Sequence, residues 1–210
     1  VLGLLAMAFA RPFWKADAAG SPPPAPATYT VLLVDTSASM QREDLWGQLR
    51  QRVESLVDGS GPQDRFALIG FDVRPRALLR FDEGAAMTPD VRKATIRERL
   101  ASTEPGWGGS RIDQALILAA EWLSGEVDSE APATRRIVVC TDLQRGSELA
   151  ALPAFGWPVG ITTQLEVLEP RRGGNAGLQL VADRRTLGDG RAPGVRIRVS
   201  NSPDASVEQF

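Results

Sequence analysis

Asp35, Ser37 and Ser39 in the run VLLVDTSASM, Ser110 after Gly108-Gly109, and Asp142 in RRIVVCTDLQRG are all hard oxygen donors. Hydroxyls and carboxylates of this kind suit Mg²⁺, Mn²⁺ or Ca²⁺ rather than a soft metal. The first three follow the unbroken apolar run Val31 to Val34, and Asp142 follows another, Ile137 to Cys140. Runs without alternation predict strands covered on both faces, as in a parallel sheet. Ligands of open parallel sheets collect beyond the carboxyl ends of the strands. Two strand ends carrying Asp-x-Ser-x-Ser and Thr-Asp, with a Gly-Gly-Ser loop between them, therefore describe a metal site. Taken alone, DTSASM is equally an ordinary strand-to-helix turn, because Asp and Ser favour helix caps. The Gly-Gly-Ser and Thr-Asp segments tip the reading toward metal.

Composition excludes several chemistries. The chain has no histidine, which removes Ser-His-Asp and Cys-His nucleophile systems and His-ligated zinc. Its single cysteine, Cys140, lies within a predicted buried strand and reads as a packed, inert thiol. A formal net charge of −2 offers no basic footprint for nucleic acid. There is no G-x-x-x-x-G-K-[ST] phosphate loop, no cluster of carboxylates for two metals, and no good general base near the five donors.

The elements that must position the donors alternate along 29–169. A strand over 29–35 precedes a helix of about 42–57, with Leu45, Leu49, Val53 and Leu56 on one face and Glu43 and Asp44 in its first turn. Strand 65–72 turns through Val73-Arg74-Pro75 into a strand near 76–81, expected to be an antiparallel edge guarded by Arg80. Thr88-Pro89 starts a helix. Helix 111–123 presents Ile112, Ala115, Leu116, Ala119 and Leu123, ending at Gly125. Strand 135–141, a short helix begun by Ser147, and strand 161–168 complete a doubly wound, mostly parallel α/β fold. Around the donors, Thr141 is expected to be a packing or hydrogen-bonding neighbour, with a direct metal ligand as the alternative, and Asp72 a solvated strand end, with contact to a metal ligand as the alternative. Gly109 reads as permissive backbone beside the site, and Asp113 as an acid favouring its helix N-terminus. Trp107 fits either core or contact surface.

Both ends differ in character. Residues 1–13 open apolar and reach Trp14 and Lys15, as the last half of a transmembrane helix would; a signal-peptide remnant or a buried helix are the alternatives. Residues 14–28 form a Pro-rich spacer, and 170–210 hold two strand-like segments, 178–182 and 195–199, as the start of a truncated β-sandwich-like domain. Arg171-Arg172 reads as a solvated linker.

The 29–169 segment, with DTSAS, Ser110 and TDLQRG in that order, resembles the von Willebrand factor type A (VWA) domain. The resemblance implies a metal-ion-dependent adhesion site made by Asp35, Ser37, Ser39, Ser110 and Asp142, with the two acids acting through bound waters. Ser110 stands where the family usually has Thr, and Leu143 where many members have Gly. TDLQRG, with an apolar segment ending Ala-Arg-Pro, is similar to the membrane-anchored aerotolerance-regulator (Bat-type) proteins of bacteria. That likeness implies an inner-membrane protein with its VWA domain outside the cytoplasm, and as partners other VWA membrane proteins and a MoxR-type AAA+ ATPase. The expected function is non-enzymatic, Mg²⁺-dependent capture of a protein that supplies a carboxylate to the ion. A metal-dependent hydrolase and a fold-stabilising ion are the alternatives.

Overall fold

The structure, a computed structural model, describes residues 27–125, 133–144, 147–171, 176–181 and 196–201. The expected membrane-span end and nearly all of the Pro-rich spacer lie outside these residues. No helix among the described residues is long and apolar enough to cross a membrane.

Five strands form the main sheet: β1 (Thr28–Asp35), β2 (Arg65–Phe71), β3 (Pro75–Leu79), β4 (Thr134–Thr141) and β5 (Ile161–Val167). Their order is β3-β2-β1-β4-β5, parallel throughout except for the antiparallel β2–β3 pair. The helices are α1 (Leu45–Asp58), α2 (Phe81–Ala85), α3 (Pro89–Ala101) and α4 (Ile112–Gly125). This is the doubly wound arrangement with one antiparallel edge that the sequence predicts. Strands β6 (Ala176–Val181) and β7 (Arg196–Asn201) pair antiparallel in a separate two-stranded sheet.

Why β1 and β4 lack alternation is now plain. Successive side chains of a strand point to opposite faces, and both faces are covered. Val31 and Leu33 join Ile137 and Val139 under α4, which contributes Ile112, Ala115, Leu116, Ala119 and Leu123. Leu32 and Val34 join Val138 and Cys140 under α1 and α3. Burial pushes the Cys140 thiol up to about 12, so no thiolate forms near neutral pH.

Several local expectations change. The segment after β1 first makes a 3-10 turn, Ala38–Gln41, and α1 begins only at Leu45. Glu43 and Asp44 therefore precede α1 instead of occupying its first turn, and Glu43 adopts φ 47°. Val57, next in the row Leu45, Leu49, Val53, fills the fourth buried position of α1, and Leu56 is only partly buried. Arg80 lies past the end of β3; it precedes the unforeseen short helix α2 and rests over Trp122, 4.8 Å from the ring centroid. Ser147 starts no helix: its hydroxyl donates to the Gln144 carbonyl, and among the described residues between β4 and β5 the helical element is a 3-10 segment at Leu152–Ala154. Arg171 is not merely solvated, since its backbone N–H donates to Glu43 and its guanidinium pairs with Asp44 at 2.8 Å.

Thr88 does cap α3, accepting from the Val91 N–H with Pro89 as the first helical residue. The fold brings the carboxyl ends of β1 and β4, adjacent strands at the sheet's centre, to one edge. With β2 on one side of β1 and β4 on the other, the chain reverses direction across the sheet there. Such a reversal leaves a crevice above the strand ends.

Candidate functional site

Asp35 is the last residue of β1 and is wholly buried. Its Oδ1 accepts from the Ser37 N–H at 2.8 Å, the local turn that short acids make after a strand. Its Oδ2 accepts from the Thr141 hydroxyl at 2.6 Å and from the Ser110 hydroxyl at 3.0 Å. Thr141 is thus the hydrogen-bonding neighbour expected; it orients Asp35 from β4 and also accepts from the Leu143 N–H at 3.2 Å.

Ser37 and Ser39 leave the strand on the 3-10 turn with their hydroxyl oxygens 3.1 Å apart. The Ser39 hydroxyl donates to Asp142 Oδ1 at 2.9 Å. A hydroxyl has one proton, so Ser37 is the donor to Ser39. All five oxygen residues therefore belong to one connected cluster drawn from three loops. Burial holds the Asp142 carboxyl above its ordinary range and the charge of Asp35 adds to this, against the opposing Ser39 hydrogen bond.

The donor set fits a hard divalent cation on two counts. Octahedral ligands about 2.0–2.1 Å from Mg²⁺ lie about 2.9 Å from one another. The Ser37 and Ser39 hydroxyl oxygens, two of the three groups that could ligate directly, lie 3.1 Å apart. Among the described residues, neither Asp35 nor Asp142 has an ion-pair partner. Two acids beside one another without a basic partner call for positive charge. The described residues contain no group of three or more His, Cys, Asp and Glu side chains placed to hold a metal. That is consistent with a donor set in which hydroxyls outnumber carboxylates.

Loop 103–111 is pinned over this turn. The Gly106 N–H donates to the Thr36 carbonyl at 2.7 Å, and the Ala38 N–H donates to the Gly108 carbonyl at 3.0 Å. The Gln41 side chain donates to the Pro105 and Gly106 carbonyls at 3.1 and 2.7 Å. Gly108 packs closely on the neighbouring loop: a Cβ there would lie 2.7 Å from Val73 Cγ2, and the valine would have to shift. Gly109, by contrast, has open space around it. Trp107 is 87% exposed, which decides between core and surface. Asp72 accepts from the Arg74 N–H at 3.1 Å, closing the turn into β3, while its backbone carbonyl accepts from the Arg111 N–H.

Sequence reasoning understated two residues. Asp113 is fully buried and paired with Arg111, which also bonds to Glu148. Burial alone would raise its carboxyl, but Arg111 and the Gln114 and Ala151 N–H groups hold it below the usual range. The R-x-D spacing was the available signal. Leu143, next to Asp142, adopts φ 48°. This left-handed backbone costs a non-glycine residue about 1 kcal/mol and explains why glycine is common there.

A family profile described as the von Willebrand factor type A domain matches residues 30–146, more than half of the chain. The chain belongs to the VWA family. Solved structures similar to this VWA chain include an aerotolerance-related membrane protein from Bacteroides fragilis, with 20% identity, 81% of each chain covered and a TM-score of 0.54. BatB from Bacteroides thetaiotaomicron has 21% identity and a TM-score of 0.52, covering 81% of this chain and 80% of its own. A von Willebrand factor type A protein from Catenulispora acidiphila has 18% identity and a TM-score of 0.55, covering 67% and 33%. At these identities the likeness is one of fold. The Bat-type resemblance of the sequence is matched at that level. No curated protein matches the chain.

Proposed function

We propose that this VWA domain is a non-enzymatic, divalent-cation-dependent protein-binding module of a membrane-anchored bacterial envelope protein. The observation that carries the reading is the convergence of Asp35, Ser37, Ser39, Ser110 and Asp142 into one oxygen cluster with no basic partner among the described residues. Ser37, Ser39 and Ser110 would hold Mg²⁺ (or Mn²⁺ or Ca²⁺) directly, with Asp35 and Asp142 acting through water. When bound, the ion supplies a coordination position that a partner's Asp or Glu completes. Hydroxyls carry no charge, so two carboxylates leave the loaded site near neutral and receptive to that third acid.

Binding rather than turnover is favoured by the state of Asp35. It is wholly buried and its carboxylate oxygens already accept three hydrogen bonds from within the chain, so it is not presented to a substrate as a free base. The envelope location, and the pairing with other VWA membrane proteins and a MoxR-type ATPase, rest on the Bat-type likeness.

Titration calorimetry of the chain with MgCl₂, followed by capture from membrane extracts in Mg²⁺ or EDTA, tests the proposal. Wild type should bind the ion and retain a protein partner only in Mg²⁺. Asp35→Ala should lose both while remaining folded. Ion binding without any EDTA-sensitive partner would favour a merely stabilising cation.

A further inference from the structure

The rim of this site is apolar and held rigid. Trp107 projects from a loop fastened to the Thr36–Gln41 turn by four hydrogen bonds, yet its indole is 87% exposed. Ordering the backbone beneath a large aromatic while leaving the ring in water gains the fold little apolar burial. Val73, 51% exposed, sits against the same loop, its Cγ2 closely facing Gly108. On the Asp142 side stands Leu143, 43% exposed and in the left-handed region. Its strain is offset by no deep burial of the side chain. Strain of this kind, concentrated beside a functional cluster, points to a contact outside the chain.

From this geometry we propose that the site receives a partner segment in which the acidic residue is flanked by large apolar side chains. Trp107 and Val73 would contact that segment on the Ser110 side, and Leu143 on the Asp142 side. The inference rests on the cation-dependent reading above: the carboxylate fixes the segment at the cluster, and the rim selects its neighbours. Preordered aromatic anchors around a polar centre are the arrangement from which binding hot spots are made. A flexible rim would lose more entropy on binding.

A random heptapeptide phage library panned on the full chain in MgCl₂ and eluted with EDTA tests this. The expected clones carry Asp or Glu with Trp, Phe, Leu, Ile or Met within two positions. Synthetic peptides from them should bind Trp107→Ala and Leu143→Gly about tenfold more weakly, while calorimetric Mg²⁺ affinity stays at the wild-type value. Acidic clones without apolar neighbours, or unchanged affinity in both variants, would overturn the rim's role and leave the cation site standing. Apolar clones that survive EDTA would also overturn it, by separating the rim from the carboxylate. If no acidic clone elutes with EDTA, the cation-dependent reading fails and the inference fails with it.

Discussion

Asp35 and Asp113 are both completely buried acids near the same sheet edge, and they are satisfied in opposite ways. Asp113 receives Arg111 at 3.2 and 3.4 Å together with the Gln114 and Ala151 N–H groups at 2.8 and 3.2 Å. Its charge is balanced within the chain. Among the described residues Asp35 receives neutral dipoles, from Ser37, Ser110 and Thr141, and its neighbour Asp142 is another acid. Burying a charge is costly unless something compensates it. One acid thus serves as a fixed strut between α4 and the loop before β5, and the other has no such counter-charge among the described residues.

Removing the strut should give the largest effect. Asp113→Ala leaves two backbone N–H groups and part of Arg111 without their acceptor, and should cost about 3 kcal/mol. Urea unfolding should register this loss equally with and without MgCl₂; a cation-dependent loss would erase the contrast between the two acids. The complementary experiment is thermal unfolding with Mg²⁺. A ligand at about a hundred times its dissociation constant stabilises the native state by about 2.7 kcal/mol. Wild type should gain this, Asp35→Ala should not, and equal upshifts in both would place the ion elsewhere.

The acid limb of stability sharpens the comparison further. The Asp113 carboxyl is depressed in the folded state, so its contribution is fully present above the ordinary carboxylate range. That contribution falls away as pH drops through the depressed folded value. In denaturant titrations from neutral toward acid pH, the gap between wild type and Asp113→Asn should therefore narrow. A constant gap would mean that the charge on Asp113 does not matter.

The smallest effect belongs to the rim. Leu143→Gly removes the left-handed strain, so the substitution should raise stability by up to about 1 kcal/mol, reduced by the greater freedom of glycine when unfolded. A clear loss of stability instead would show that the leucine packs inside the fold.

Much of the site was readable before any coordinates. The unbroken apolar runs at Val31–Val34 and Ile137–Cys140 read as strands covered on both faces, which β1 and β4 are. Their terminal Asp-x-Ser-x-Ser and Thr-Asp had to emerge at one edge once the strands were parallel. The Ile112-to-Leu123 periodicity and the Thr88-Pro89 start were similarly local signals, and they survive in α4 and α3. Where the reading failed, the deciding interaction was distant or conformational. Arg80 looked like an edge guard but stacks on Trp122, far away in the chain. Arg171 looked like linker and grips the start of α1.

The sequence alone determined which oxygen-bearing residues could gather at one sheet edge, because residue type fixes their donor chemistry and apolar periodicity fixes which strands carry them. Tertiary structure decided everything that depends on distance. It set the oxygens about 3 Å apart and left Trp107 in solvent. It also matched Asp113 with Arg111 and twisted Leu143 into left-handed backbone. Those outcomes follow from packing among segments remote in sequence, where burial and charge compensation are settled for the whole domain at once.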